Sequence, residues 1–412
     1  MANVSSSNGL EKRPKLRFPG FDEPWKVFKA EELFQNVTDK NHPDETVLTI
    51  IQGKGTLPRE QAGRNIHYDD ASLSNYKKVE QGDFIIHLRS FEGGLEMANE
   101  AGIVSPAYTI LRCKRPHSSL FYDAYFHTDE FINHNLSKSV EGIRDGRQIS
   151  YEAFKWLGIP YCEPTEQEKI SSLFSVLNER IAKQRDLVES LKKYKRGLSN
   201  SLFDRLSAGS ESRLCIFGDM MTILQNNTFS RDNLSVGGNG VRNIHYGDVL
   251  IKYGAVLDLH SENVPVINAE QDISKFSALS YLRNGDVVFA DTAEDYTVGK
   301  STEIIGAENI AALSGLHTIP CRPQDSFAPM YLGYYFNSDY FKKQLYPMIQ
   351  GTKVSSISKS EIIKTKIIVP CLQEQARIAS IMSALDDRID AAKHTTKDLI
   401  DLRSGLLQQL FI

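Results

Sequence analysis

The sequence predicts an α+β protein built twice. Two tandem, diverged modules are separated by two long helices that pair as an antiparallel coiled coil, giving a pseudo-two-fold object. Three observations predict this. Residues 166–203 and 374–411 align without a gap at an offset of 208, with 13 of 38 positions identical, among them Glu166/Glu374, Gln167/Gln375, Gly197/Gly405 and Phe203/Phe411. Both copies carry apolar residues at heptad spacing. The segments between them echo each other more faintly, in a turn-then-strand motif and an aromatic motif.

The chain has 412 residues, 41% hydrophobic and 24% charged, with 48 Lys+Arg against 52 Asp+Glu and a formal charge of −4. Length suggests two or three domains, and composition excludes global disorder, collagen-like repeats and low complexity. No apolar run is long enough for a membrane-spanning helix. The opening MANVSSSNGLEKRPKLRF lacks the apolar stretch of a secretion signal. The five cysteines (113, 162, 215, 321 and 371) include no CxxC pair, so a reducing cytoplasm is the expected compartment.

Taken in order, the elements are a polar tail over 1–17, a first module over 18–158, a central helix within 159–207, a second module over 208–368 and a C-terminal helix within 369–412. Gln81-Gly82-Asp83-Phe84-Ile85-Ile86 and Asn284-Gly285-Asp286-Val287-Val288-Phe289 are polar-Gly-Asp corners running into apolar β-formers, and Tyr246-Gly247-Asp248-Val249-Leu250-Ile251 reads as a third. Tyr125-Phe126 with Phe131 matches Tyr335-Phe336 with Phe341 at an offset of 210. Such aromatic helix faces belong to a core more often than to a stacking platform. Many short strands with Gly and Asn turns suggest a twisted or barrel-like sheet in each module.

In the first helix Ile170, Leu177, Gln184, Leu191 and Leu198 recur every seven residues, interleaved with Phe174, Ile181, Val188, Lys195 and Leu202. The second has Ile378, Leu385, Ala392, Leu399 and Leu406, interleaved with Met382, Ile389, Thr396, Arg403 and Leu410. Eight of ten in each copy are apolar, a coiled-coil seam. Thr165 with Glu168 reads as a capping box opening the first helix. Pairing the helix midpoints antiparallel places residue i opposite about 582 − i, so that Lys195 meets Asp387 and Arg403 meets Glu179, and each polar break in the seam finds a carboxylate. An object with a two-fold repeat has a natural partner in duplex DNA, which has a local two-fold axis of its own.

Chemistry is harder to find. Val298-Gly299-Lys300-Ser301 resembles the end of a P-loop, but Glu294 stands where that motif needs glycine. Gly237-Gly238-Asn239-Gly240 does not complete GxGxxG, no HExxH or GxSxG occurs, and no Asn/Asp-Pro-Pro-aromatic tetrad of an amino-methyltransferase is present. The chain is therefore expected to carry no active site and no metal. The candidate DNA contacts are polar loop residues: Lys54, Arg59 and Arg64, then Arg144, Arg147 and Gln148 in the first module, and Arg231, Asn239, Arg242 and Lys353 in the second, with Lys353 at the place equivalent to Arg144. Arg suits guanine, Gln and Asn suit adenine, and Lys suits phosphate.

The opening Pro14-Lys15-Leu16-Arg17-Phe18-Pro19-Gly20-Phe21 with Trp25, and the Glu-Gln-x-x-Ile start and Leu-Phe end of each long helix, resemble the specificity (S) subunit of type I restriction-modification systems. The resemblance covers essentially the whole chain. It implies two target-recognition domains that read the halves of a bipartite DNA site, with helices that act as a spacer and dock two methyltransferase subunits. It implies no cofactor in this chain. S-adenosylmethionine and adenine-N6 transfer would belong to the methyltransferase subunits, and ATP with Mg to restriction subunits where a cleaving partner exists. The rival reading is a non-catalytic helical-ruler adaptor with two protein-binding modules.

Overall fold

The computed structural model describes residues 11–62, 70–142, 148–209, 211–238, 240–260, 264–351 and 354–411. Two compact units emerge. One combines Met1–Arg185 with His394–Ile412, and the other is Asp186–Lys393. These differ from the five segments expected from the sequence, because each long helix is shared between the units instead of standing apart from both.

In the first unit, strands Trp25–Lys29 and Gly158–Tyr161 pair antiparallel, with Ile159 opposite Phe28. A four-stranded antiparallel sheet runs in the order Phe34–Val37, Thr109–Cys113, Phe84–Ile86, Glu96–Met97. The hairpin Leu48–Ile51/Gly55–Pro58 and the pair Lys77–Val79/Gly102–Val104 stand beside it. The second unit repeats the scheme. Arg213–Ile216 pairs with Lys366–Val369, and Met221–Ile223, Thr318–Pro323, Val287–Ala290 and Ser301–Ile305 follow in the same order, with Val256–Asp258 added in parallel at the edge. Each unit thus holds several small sheets of two to five strands.

The sequence echoes are structural parts. At each polar-Gly-Asp corner the glycine is left-handed, with φ 90° at Gly82 and 84° at Gly285. The aspartate behind it is buried and takes a bidentate arginine. Arg112 donates to Asp83 at 2.9 and 2.7 Å, and Arg322 to Asp286 at 2.9 and 2.6 Å. The third corner is different. Tyr246–Ile251 is a helix, started by His245, whose Nδ1 accepts the Gly247 amide at 3.2 Å. The aromatic motifs are core: Phe126–Phe131 and Phe336–Phe341 ring centroids both lie 4.7 Å apart, and all four rings are fully buried.

The long helices run Pro164–Ala208 and Leu372–Phe411. The first starts one residue before Thr165, with proline at its first position, where the missing N–H costs nothing. The capping box expected of Thr165 is therefore out of place. Instead, Gln167 Nε2 donates to the Cys162 carbonyl and its Oε1 accepts the Ser118 amide, at 2.8 and 3.0 Å. Gln375 repeats this with Pro370 and Ala328, at 2.8 and 2.9 Å.

Every heptad position named above is buried or half-buried. The pairing is antiparallel within each unit. Arg403 Nε donates to Asn178 Oδ1 at 2.7 Å in the first, and Lys195 forms an ion pair with Asp386 in the second. Both pairs sum to 581, one less than the expected register. The partners accordingly shift by one residue: Asp386 in place of Asp387, and Asn178 in place of Glu179, which pairs with Lys183 on its own helix at 2.5 Å.

The helix ends belong to the cores. Phe411 lies among Phe121, Tyr125 and Trp25 of the first unit, with centroids 5.1, 5.6 and 5.9 Å away. Phe203 meets Tyr335 of the second at 5.2 Å. The polar tail expected over 1–17 is bound from Glu11 onward. Glu11–Lys12 pairs with Lys26 and Trp25. The Leu16 amide donates to the Gln409 carbonyl at 3.0 Å, and Arg17 grips Glu166 at 2.9 and 2.8 Å. Glu166, 1% exposed, also accepts Trp25 Nε1 at 3.0 Å.

Candidate nucleic-acid interface

Five of the ten predicted contact residues, Arg64, Arg144, Arg147, Asn239 and Lys353, lie outside the described residues. The other five divide by how free their side chains are.

Lys54 is exposed at the tip of the hairpin Leu48–Ile51/Gly55–Pro58. Arg59 follows the same hairpin but is half-buried, with Nε and Nη1 shielded from solvent. The two thus share one hairpin region and differ in exposure. Gln148 is exposed on the short strand Gln148–Ile149, across from Glu141.

In the second unit Arg231 and Arg242 do not share an open loop. Arg231 sits in the turn Arg231–Asn233 and is half-exposed, with Nη1 2.9 Å from Asp248 and Nη2 3.4 Å from His245 Nδ1. That hydrogen bond to Asp248 raises the arginine's pKa, while burial lowers that of His245. Arg242 lies on the strand Arg242–Ile244 and donates from Nη1 to the Leu259 carbonyl. Both guanidiniums are engaged by the protein itself.

Sequence reasoning missed Arg112 and Arg322. Their signal was available, since the 210-residue offset that aligns Tyr125 with Tyr335 also aligns them. Hydrogen bonding to Asp83 raises the Arg112 pKa, and burial raises that of Asp286. These pairs fix the strand corners and are not free to read a ligand.

Lys300, from the P-loop-like run, donates Nζ to the Leu250 carbonyl at 2.9 Å and is spent in a turn. Burial pushes the thiols of Cys113, Cys162 and Cys321 up, away from thiolate character. Among the described residues no group of three His, Cys, Asp or Glu side chains could hold a metal ion, and no helix is long and apolar enough to cross a membrane.

Each unit is an α+β body in which stretches of the two long helices pair antiparallel, and known proteins share this fold. Residues 218–401 match the family model of the type I restriction modification DNA specificity domain. A search of curated proteins returned no match. Among solved structures, the HsdS subunit from Thermoanaerobacter tengcongensis is similar at a TM-score of 0.50 and 20% identity, over 97% of this chain and 98% of that one. The type I restriction-modification S subunit from M. genitalium gives 0.53 and 15%, over 97% and 99%. A chain from a structural study of complex assembly and conformational transition of the type I R-M system gives 0.56 and 18%, over 96% and 99%. The chain therefore has the fold of HsdS subunits over nearly its whole length. The family model matched by residues 218–401 is that of the family which the helix repeat resembles.

Proposed function

We propose that this chain is the non-catalytic, DNA-reading subunit of a type I restriction-modification complex. Each unit reads one half of a bipartite site, with target-recognition domains over about 18–158 and 208–368. The paired helices set the spacer and dock two methyltransferase subunits. S-adenosylmethionine and adenine-N6 transfer belong to those subunits, and ATP with Mg to restriction subunits where present. The observation that supports this reading best is the duplication of mechanical parts. The same Asp–Arg corner, buried aromatic cluster, glutamine bridge and helix-end phenylalanine occur once in each unit, while the surface residues differ. Two copies of one scaffold with differing loop residues suit the reading of two unlike half-sites.

The test is methylation mapping of the DNA of a host that expresses the chain with its methyltransferase partner. The expected result is a split motif with methyladenine in both halves. A continuous motif, or methylation independent of this chain, would overturn the proposal. An adaptor without DNA contacts would show no steep loss of duplex binding with salt.

A further inference from the structure

The tip of the hairpin Leu48–Ile51/Gly55–Pro58 is held more firmly than an exposed turn requires. Gly53 and Gly55 both adopt left-handed φ, 73° and 76°, a conformation glycine alone enters freely. Their amides donate to the two oxygens of one carboxylate, Glu96, at 2.7 and 2.9 Å. Glu96 is 0% exposed. A buried carboxylate is tolerated only when it is well partnered, and His127 Nε2 stands 3.4 Å from its Oε1.

On the other side, Asn99 Nδ2 donates to the carbonyls of Lys54 and Thr56 at 2.7 and 2.9 Å. The Lys54 amide closes the turn onto the Ile51 carbonyl at 2.9 Å. A side chain at Gly55 would strike the Met97 carbonyl, 2.5 Å from its Cβ. The Lys54 backbone is thus bound at both its N–H and its C=O, between two glycines that are themselves bound. Its side chain is exposed, and among the described residues its ammonium meets no hydrogen-bond or ion-pair partner.

A surface lysine adds little to stability and needs no such frame. A lysine that must meet an anion at a set place does, because a fixed backbone reduces the ordering cost on binding. An ammonium is a point charge suited to phosphate and carries no base identity. We propose that Glu96, Asn99 and His127 form a positioning frame that presents the Lys54 ammonium to a backbone phosphate of bound DNA. This rests on the DNA-reading role proposed above. Lys54 supplies affinity and register, and the three framing residues act only through it.

The experiment measures duplex binding by the full-length chain assembled with its methyltransferase subunits, across a series of KCl concentrations. Lys54→Gln should weaken binding and reduce the slope of log K against log salt by about 0.9, the value for one phosphate. The methylated motif should stay the same. Glu96→Gln should reduce the slope as much, and the double variant no further than either single change. Asn99→Ala, a milder break of the frame, serves the same purpose should Glu96→Gln unfold the unit.

A wild-type slope in Lys54→Gln, or in a folded frame variant, overturns the proposal, as does an additive double variant. A frame with a purely structural role would lower the melting temperature and leave the slope unchanged. If the wild-type complex shows no salt-dependent binding, it is the DNA-reading role that fails, a result separable from all of these.

Discussion

Replacing Phe411 by alanine tests whether the helix ends are structural keys of particular units. The ring is 0% exposed and is surrounded by Phe121, Tyr125, Trp25 and Phe174, with centroids 5.1 to 6.3 Å away. Loss of a phenylalanine from such a socket costs about 3–5 kcal/mol. At about 1.4 kcal/mol per decade, protection of the slowest amides should fall by roughly two to three and a half decades. Hydrogen exchange resolves where. Strands Phe84–Ile86 and Thr109–Cys113 of the first unit should loosen, while Val287–Ala290 and Thr318–Pro323 keep their protection. Phe203→Ala should do the reverse, although Phe203 lies on a helix that begins in the first unit. Loosening of the second unit by Phe411→Ala, or of neither, would refute the assignment of each helix end to its socket.

Glu303 is 2% exposed and accepts the amides of Met330 and Gly333 at 2.6 and 2.8 Å, yet burial pushes its pKa up to about 7. The folded state then holds a proton that the unfolded chain releases, so stability of the second unit should fall as pH rises from about 4.5 to 7. In Glu303→Gln this fall should vanish, and equal pH slopes of the thermal midpoint would count against it. Lys195–Asp386 and Arg403–Asn178 are one contact made twice, since 195 + 208 = 403 and 178 + 208 = 386. Asn178→Asp should therefore stabilise the first unit by about 0.5–1 kcal/mol in urea unfolding, and Asp386→Asn should cost the second a similar amount. No gain from Asn178→Asp would show that Arg403 is already neutralised elsewhere. Four residues inserted at Leu187, about one turn or 6 Å, should lengthen the methylated motif's spacer by one or two base pairs at about 3.4 Å each. An active insertion variant with an unchanged spacer would remove the first helix as the ruler.

The helices were legible because their physics is periodic: a seam repeats every seven residues, and Lys195 and Arg403 interrupt it at matching places. The register came out one residue off because symmetry of the midpoints fixes it only to about that precision, whereas side-chain reach selected Asp386 and Asn178. The first two Gly-Asp corners were read correctly as strand starts. The third failed at His245, whose side chain caps a helix, a local hydrogen bond that apolar patterning does not encode. The contact residues were least legible. Whether Arg231 is free depends on Asp248, 17 residues away, and whether Lys54 is fixed depends on Glu96, 41 residues from Gly55. Such partners are set by tertiary pairing, which one sequence does not display.

The division of each long helix between two cores bears on the order in which the protein can be completed during synthesis. Asp186–Lys393 is continuous in the chain, so every residue of that unit has been made once Lys393 is joined. The other unit closes only when His394–Ile412 arrives, because Leu410 and Phe411 fill its aromatic centre and the Gln409 carbonyl receives the Leu16 amide. Residues made first must wait for residues made last, with Trp25, Phe121 and Tyr125 uncovered in the interval. Transiently exposed apolar surface of this kind invites aggregation. Chains interrupted before residue 394 would carry one finished unit and one open socket, and it is the early-made half that would need a chaperone's protection.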